Sequence, residues 1–507
     1  MSDESVARAL RSMAPLAVVE APGGCGKTYQ GANYAREIAC GLKRGRVLIL
    51  AHTHAACDVF AARTENERER IDIRTVDSLI NQIASAYHRC LNLPKDTGAW
   101  ARSRETGYIE LASMVAHLLR VSSVIARSLA ERYPIIICDE HQDASVDQHS
   151  VVMACHNAGA SVRIFYDPMQ SIFGGKDPTE AAERERCWAK MKQSAHIIEE
   201  LDYPHRWSND SEQLGRWILS ARATLRDGGK IDLSGELPRG ISVIFAENQS
   251  QKWNGLQWAK EDSAPIYKLE RQTPSLLVLA AQNATVSALR GLFGRRLPIW
   301  EGHVRDNLSI LIREIQKHSE DCQKIAAACI AFLESVTTGF STSAYGKALL
   351  AEVVTGCNAK RRGKPATLQS LGRLILEQPN HRGASKFLAE VHRLTCSDPA
   401  FRNIRIDRQL EFFDAIKLGD FADANDGFAE IARRRSFARL SVPRKAISTI
   451  HKAKGLEFAN VLIIRCDGGQ FKDDRASRCL LYVGISRAMK SLTLVVSRKS
   501  PCPLLAL

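Results

Sequence analysis

The sequence predicts an α/β protein with two parallel-sheet cores flanked by helices, each core interrupted by a mostly helical insertion. Three observations carry this reading. Short, β-branched apolar runs without alternation recur at residues 16–20, 46–51, 134–138, 162–166, 276–279, 461–464 and 492–496, the pattern of strands covered on both faces. Helix-like spacing fills the stretches between them, as parallel strands joined by crossovers require. The runs fall into two groups, 1–200 and 240–302 with 445–507, whereas 81–132 and 303–440 hold none and are rich in helix formers. The expected organisation is a first core from 1–80 and 133–199 with insertion 81–132. A second core follows from 200–302 and 441–507, with insertion 303–440.

In chain order, the run at 16–20 leads into APGGCGKT, residues 21–28, and then into a helix-like stretch from Tyr29 to Leu42. Strand, Gly-rich loop, Lys-Thr and helix is the order of a phosphate cradle. Glycines let successive N–H groups turn toward an anion, and the helix start adds free N–H groups and its dipole. Lys27 is expected to bridge the β- and γ-phosphates and Thr28 to offer a hydroxyl to Mg²⁺. The pattern opens on Ala21 where a glycine is usual. A second strand, 134–138, ends in Asp139-Glu140-His141-Gln142-Asp143. Asp139 then lies near the metal, and Glu140 is placed to orient or deprotonate an attacking water. Cys25 sits inside the loop before a helix N-terminus, where a thiol ionises more readily and reacts with alkylating agents; the alternative is a small residue that merely fits.

Composition narrows the class. The 507 residues suit two to four domains. Lys and Arg exceed Asp and Glu by 14, an excess that suits a polyanion, most simply nucleic acid. It is concentrated in clusters such as 360–364 (KRRGK) and 433–439 (RRRSFAR). No apolar run approaches the ~20 residues needed to span a bilayer, so no membrane partner is expected. The acidic start MSDESVARALRSM lacks an apolar signal region. Fourteen scattered cysteines form no CxxC pair, pointing to free thiols in a reducing, cytoplasmic setting.

With DEHQD in place, the chain resembles the UvrD/Rep/PcrA-like helicases of superfamily 1A over nearly its whole length, and further segments follow in the family's order. Residues 74–78 (RTVDS) resemble the segment that contacts the DNA backbone, through Thr75 and Ser78. Residues 166–173 (YDPMQSIF) resemble GDxxQSIY, which implies a γ-phosphate sensor at Gln170 and a base-stacking ring at Phe173. Residues 205–208 (HRWS) resemble NYRS, implying that Arg206 reaches the γ-phosphate and His205 stacks on adenine. Residues 448–458 (STIHKAKGLEF) resemble TxHxAKGLEF, with Gly455 and Glu457 at the nucleotide, Glu457 on the ribose, and His451 facing the strand. Residues 481–488 (LYVGISRA) resemble YVAxTRA, with Arg487 as arginine finger. The resemblance implies two RecA-like P-loop cores and ATP with Mg²⁺ held by Gly23, Gly24, Cys25, Gly26, Lys27, Thr28 and Tyr29 and by the acids. Closing and opening of the cleft is then expected to become stepping along DNA, with 3′-to-5′ polarity implied by family likeness.

The sequence also departs from that family. No N-terminal glutamine motif is recognisable in residues 6–15, which leaves base choice open. His52, in AHTHAA, stands where the family has an aromatic that stacks on DNA; a histidine ring can also stack, more weakly and with pH dependence, and the alternative is a polar loop residue. Gly174 and Gly175 follow Phe173 where relatives offer another ring, and stacking is worth about 1–3 kcal/mol per base. Short insertions favour translocation over processive unwinding. The end at Leu507 leaves no room for a nuclease domain, so a nuclease is expected to act in trans. Length and architecture also resemble the helicase subunit of the Gabija antiphage system, which partners an OLD-family nuclease. Two other readings share the ATP site: a sensor that regulates a nuclease with little unwinding, and a motor on RNA, since phosphate contacts do not read a 2′-OH. The expected polymer is single-stranded or tailed duplex DNA.

Overall fold

The computed structural model describes residues 2–67, 69–102, 104, 106–173, 178–209, 211–247, 249–252, 255–300, 305–437 and 442–507. Gly174, Gly175 and the end of the 433–439 cluster lie outside the described residues. Six strands, β1 (Leu16–Glu20), β2 (Val47–Ala51), β3 (Ile71–Thr75), β4 (Ile135–Cys138), β5 (Ser161–Tyr166) and β6 (Ile197–Glu200), form a sheet of order β3-β2-β4-β5-β1-β6. All its neighbours are parallel. Five more, β7 (Ile241–Phe245), β8 (Leu276–Ala280), β9 (Lys445–Thr449), β10 (Phe458–Cys466) and β11 (Ala488–Val496), form a second parallel sheet of order β9-β8-β10-β11-β7. The expected α/β class, with parallel sheets flanked by helices, is what forms.

Successive residues of a strand point to opposite faces, and the first sheet uses both. Leu16, Val18, Leu48, Leu50, Ile136, Val162 and Ile164 pack on one face with Leu111, Val115 and Leu119 from the helix Gly107–Val121. Val19, Val47, Ile49, Ile137 and Phe165 pack on the other with Val6, Leu10, Ala35 and Phe60. Arg163 is the polar exception inside β5. Its guanidinium donates to the carbonyls of Leu10, Ser12 and Ala14 at 2.8, 2.9 and 2.9 Å, closing the end of the helix Ser2–Arg11. Cations suit that end, where carbonyls are left without partners.

Contacts divide the chain into two compact units, Met1–Leu297 with Val442–Leu507, and Pro298–Ser441. Both sheets belong to the first. The second is helical around a core of Ile325, Leu333, Phe387, Leu388 and Phe412. It holds one short pairing, Thr337–Thr338 with Arg405–Ile406, in a stretch expected to lack strands. Its buried Glu411 accepts from the Leu308 N–H at 3.0 Å and the Asn307 amide at 3.1 Å, tying two helices together.

Candidate active site

The first sheet presents the carboxyl ends of its strands to the site, where ligands of open α/β sheets bind. The 21–28 loop follows β1, Asp139 and Glu140 follow β4, and Asp167 and Gln170 follow β5. The second sheet presents the opposite ends. Glu457 and Arg487 directly precede β10 and β11, joined where the Phe458 N–H donates to the Arg487 carbonyl at 3.0 Å. The 205–207 turn docks on the same edge: Arg206 donates to the Ser486 carbonyl at 2.8 Å and the Trp207 indole to that of Ala488 at 2.7 Å.

Two glycines of the loop need their lack of a side chain. Gly24 and Gly26 have φ of +86° and +85°, a region L-residues rarely enter. A Cβ on Gly24 would come within 2.7 Å of the Trp207 ring, and one on Gly26 within 3.0 Å of His205. The helix Lys27–Gly41 starts directly after them with no acid in its first turn, so its N-terminal donors face no built-in anion. Lys27 pairs with Glu140. Burial pulls the Lys27 amine down, but Glu140 and Asp139 outweigh it and raise it.

Glu140 has φ of +48°, an uncommon value outside glycine, and its carboxylate also accepts from the Gln142 amide. Burial pushes Glu140 up, yet Lys27 and Lys454 bring it down to about 2. Its neighbour goes the other way: burial pushes Asp139 up to about 6. Asp139 Oδ1 is buried with no hydrogen-bond partner. An orphaned buried carboxylate oxygen costs free energy unless something binds it, and a hard divalent cation fits an oxygen donor of this kind. Gln142 also accepts from the Asp167 N–H at 2.9 Å, and Asp167 accepts from the Gln170 amide at 2.9 Å. Glu140, Gln142, Asp167 and Gln170 therefore form one connected network.

On the opposite side, Arg487 is 2% exposed. It donates to the carbonyls of Val483 and Leu456 at 2.9 and 3.4 Å and to the Ser486 hydroxyl at 2.7 Å. No carboxylate pairs with it among the described residues, and burial, with Arg206 nearby, lowers it to about 10. Its guanidinium, the Gln170 amide and the Tyr482 hydroxyl lie 3.6, 3.3 and 3.6 Å from where a Gly23 Cβ would sit, and Tyr482 accepts the Gly23 N–H at 3.0 Å. Arg206 pairs with Glu457 at 2.5 Å. His205 binds Asp3 of the first helix at 2.8 Å, with Tyr203 edge-on at 4.7 Å. Gly455 has φ of +85° and open space beside it. Tyr29 is 57% exposed, and Thr28 is half-buried.

Of the two readings of Cys25, the structure favours the small residue that fits. Its side chain is fully buried beside Val6, Leu10 and Val19, and burial pushes its thiol up to about 12. The loop cysteine packs; it is not an activated nucleophile. The helix dipole that suggested otherwise is outweighed by the loss of solvation of a thiolate.

The residues expected at DNA are less tightly built. Phe173 is 56% exposed, with His451 at 6.4 Å between ring centroids and the Lys454 amine 5.0 Å from its own centroid. Lys454 also pairs with Asp143 at 2.7 Å and donates to the Gln170 carbonyl at 2.7 Å, crossing from the second sheet to the first. Sequence reasoning quoted Asp143 and Lys454 inside motifs without assigning them this bridge. Thr75 caps the helix Val76–Ala86, accepting from the Ser78 N–H at 3.2 Å, and Ser78 is exposed. His52 is half-buried, its Nε2 has no partner, and burial pushes it down to about 4. A ring held down in this way favours its neutral form, which argues against the expected pH dependence of its stacking.

Residues 98–177 match the UvrD/REP helicase N-terminal domain, and they contain Asp139, Glu140, Gln170 and Phe173. Residues 446–495 match the UvrD-like helicase C-terminal domain, with His451, Glu457 and Arg487. The two matched segments indicate an ATP-dependent DNA helicase. No curated protein matches it. The 21–28 loop lies outside both matched spans and is read from its own geometry. Neither match bears on polarity, antiphage defence or a nuclease partner. Among the described residues no single helix is long and apolar enough to cross a membrane.

Proposed function

We propose that this helicase hydrolyses ATP in the crevice between its two sheets and converts closing and opening of that crevice into 3′-to-5′ stepping along single-stranded DNA. The observation that supports this best is an opposition. Lys27, Asp139 and Glu140 stand on one side, and Arg487, buried without a carboxylate, faces the same loop from the other. In this reading 1–80 with 133–199 and 200–302 with 441–507 are the two RecA-like motors, and 81–132 and 303–440 are their insertions.

The loop N–H groups and Lys27 bind the phosphates. Lys27 exchanges Glu140 for the anion, and the freed carboxylate takes a proton from the attacking water. Asp139 and the Thr28 hydroxyl would hold Mg²⁺, which when bound neutralises charge on the phosphate oxygens. Arg487 and Arg206 stabilise the charge that develops during transfer, an effect worth roughly 10³–10⁵ in rate. His205 supplies a ring for the base and Glu457 a carboxylate for the ribose. Phe173 and His451 grip bases, with His52, Thr75 and Ser78 along the strand.

The test compares ATPase stimulation by DNA and RNA oligonucleotides with displacement of 3′- and 5′-tailed duplexes. DNA should stimulate more than RNA, and only the 3′-tailed duplex should be opened. Equal stimulation by RNA would contradict the DNA assignment. Displacement from the 5′ tail alone would contradict the polarity.

A further inference from the structure

One buried cation takes no part in the reading above. Arg222 lies on the helix Glu212–Arg226, which packs against the helix Arg475–Ile485 and β11 of the second core. A lone arginine on such a helix ordinarily points to water. This one is 2% exposed and ends among residues of the first core.

Its partners are the ends of three adjacent strands. Glu20 is the last residue of β1, Asp167 directly follows β5, and Glu200 ends β6; the order β5-β1-β6 places them side by side. Arg222 donates to Glu20 at 2.5 Å, to Asp167 through two nitrogens at 2.9 and 3.1 Å, and to Glu200 at 3.2 Å. The Tyr482 ring lies 6.0 Å from the guanidinium. Only a planar fork makes so many bonds at once; an ammonium does not reproduce them.

The consequence passes through Asp167, whose side chain is fully buried. Oδ1 accepts from Arg222 and from the Met169 N–H at 3.1 Å, while Oδ2 accepts from the Gln170 amide at 2.9 Å. Gln170 is therefore held from behind by a carboxylate that Arg222 fixes in turn. Without the guanidinium, Glu20 and Asp167 are two neighbouring buried acids lacking their principal cation, and a carboxylate so placed moves or takes up a proton.

We infer that Arg222 is a positioning residue for ATP hydrolysis: reaching from the second core, it clasps three strand ends of the first and sets Gln170 against the phosphate loop. This rests on the reading of Gln170 as the γ-phosphate sensor.

The experiment measures kcat and KM for ATP, with saturating single-stranded DNA, for Arg222→Lys, Gln170→Ala and the double variant, with thermal melts alongside. Arg222→Lys keeps the charge and loses the fork. It should melt as a folded protein and lose about tenfold or more in kcat, with KM moving less than about threefold. The double variant should be no slower than Gln170→Ala alone, as expected of groups that act as a unit. Losses that multiply in the double variant, or an Arg222→Lys kcat within about twofold of wild type, would overturn the inference while leaving the site reading intact. A Gln170→Ala protein at the wild-type rate would overturn the site reading and the inference with it. If Arg222→Lys does not fold, Arg222→Gln combined with Glu20→Gln removes one charge of each sign and takes the same cycle with the same outcomes.

Discussion

The two sides of the crevice are built on opposite electrostatic plans. On the first sheet Lys27 pairs with Glu140 and Asp143 with the incoming Lys454, while Asp139 Oδ1 is left without a hydrogen bond among the described residues. On the second, Arg487 is buried among carbonyls and a hydroxyl with no carboxylate beside it. The first side is short of a cation at Asp139; the second is short of an anion at Arg487. In the proposed reading a nucleotide's terminal phosphate supplies that anion, so that binding would draw the sides together and hydrolysis would release them. Perturbations of the first side should strike the chemical step or its substrate. Perturbations away from the crevice should strike only grip or nothing.

The largest effect expected on the first side is at Glu140. Glu140→Gln should lose about 10²–10⁴ in turnover while still binding ATP, because an amide cannot accept the proton. Lys27→Ala should weaken both binding and turnover. Filter binding and steady-state hydrolysis separate the two, and a Glu140→Gln protein that turns over normally would remove the carboxylate from its role.

At the strand-binding surface the effect should shrink. Phe173→Ala should cost about 1–3 kcal/mol of oligonucleotide affinity. The steep fall of affinity with salt should keep its slope, since a ring releases no counterions. Fluorescence anisotropy titrations over a salt series give both quantities. A changed slope with unchanged affinity would show that Phe173 does not stack.

Smaller still is the contribution of pH through His52. A histidine pushed down by burial to about 4 takes up its proton only as pH falls through that value, so its charge is constant between about pH 5 and 8. Wild type and His52→Ala should then bind DNA with parallel pH profiles over that range. Profiles that diverge below about pH 7 would place the ring in solvent with an ordinary pKa. Cys25 should matter least. Mass spectrometry after brief alkylation of the native protein should find label at the exposed Cys40, Cys90 and Cys396 and none at Cys25, with ATPase retained. Inactivation that Cys25→Ser prevents would contradict the buried loop thiol.

The legibility of the fold divides along the sheets themselves. Every strand read from an unalternated apolar run is a central one: β1, β2, β4 and β5 in the first sheet, β8, β10 and β11 in the second. The four not read as such runs, β3, β6, β7 and β9, are the four edges. An edge strand need not bury both faces: IIEE of β6 alternates half-buried and exposed positions, and ISVIF of β7 mixes buried and exposed ones. The site behaves in the same way. The loop and the acids each stand in one short sequence run and are readable as candidates from it, and the arginines are readable through the family resemblance. Cys25 misleads because its sequence neighbours report a helix start but not the packing of the Ser2–Arg11 helix over it. Arg222 is illegible because its partners come from three strand ends that only the topology makes adjacent.

The central claim is that hydrolysis needs a guanidinium from the second side, and Arg487 tests it most directly. ATP affinity and DNA-stimulated kcat should be measured for Arg487→Ala and Arg487→Lys against wild type. In Arg487→Ala kcat should fall by about 10³–10⁵ with nucleotide affinity changed far less, and Lys should fail to restore it. Normal kcat in Arg487→Ala would contradict the account, because the site would then be complete on one sheet and the crevice would have no reason to close.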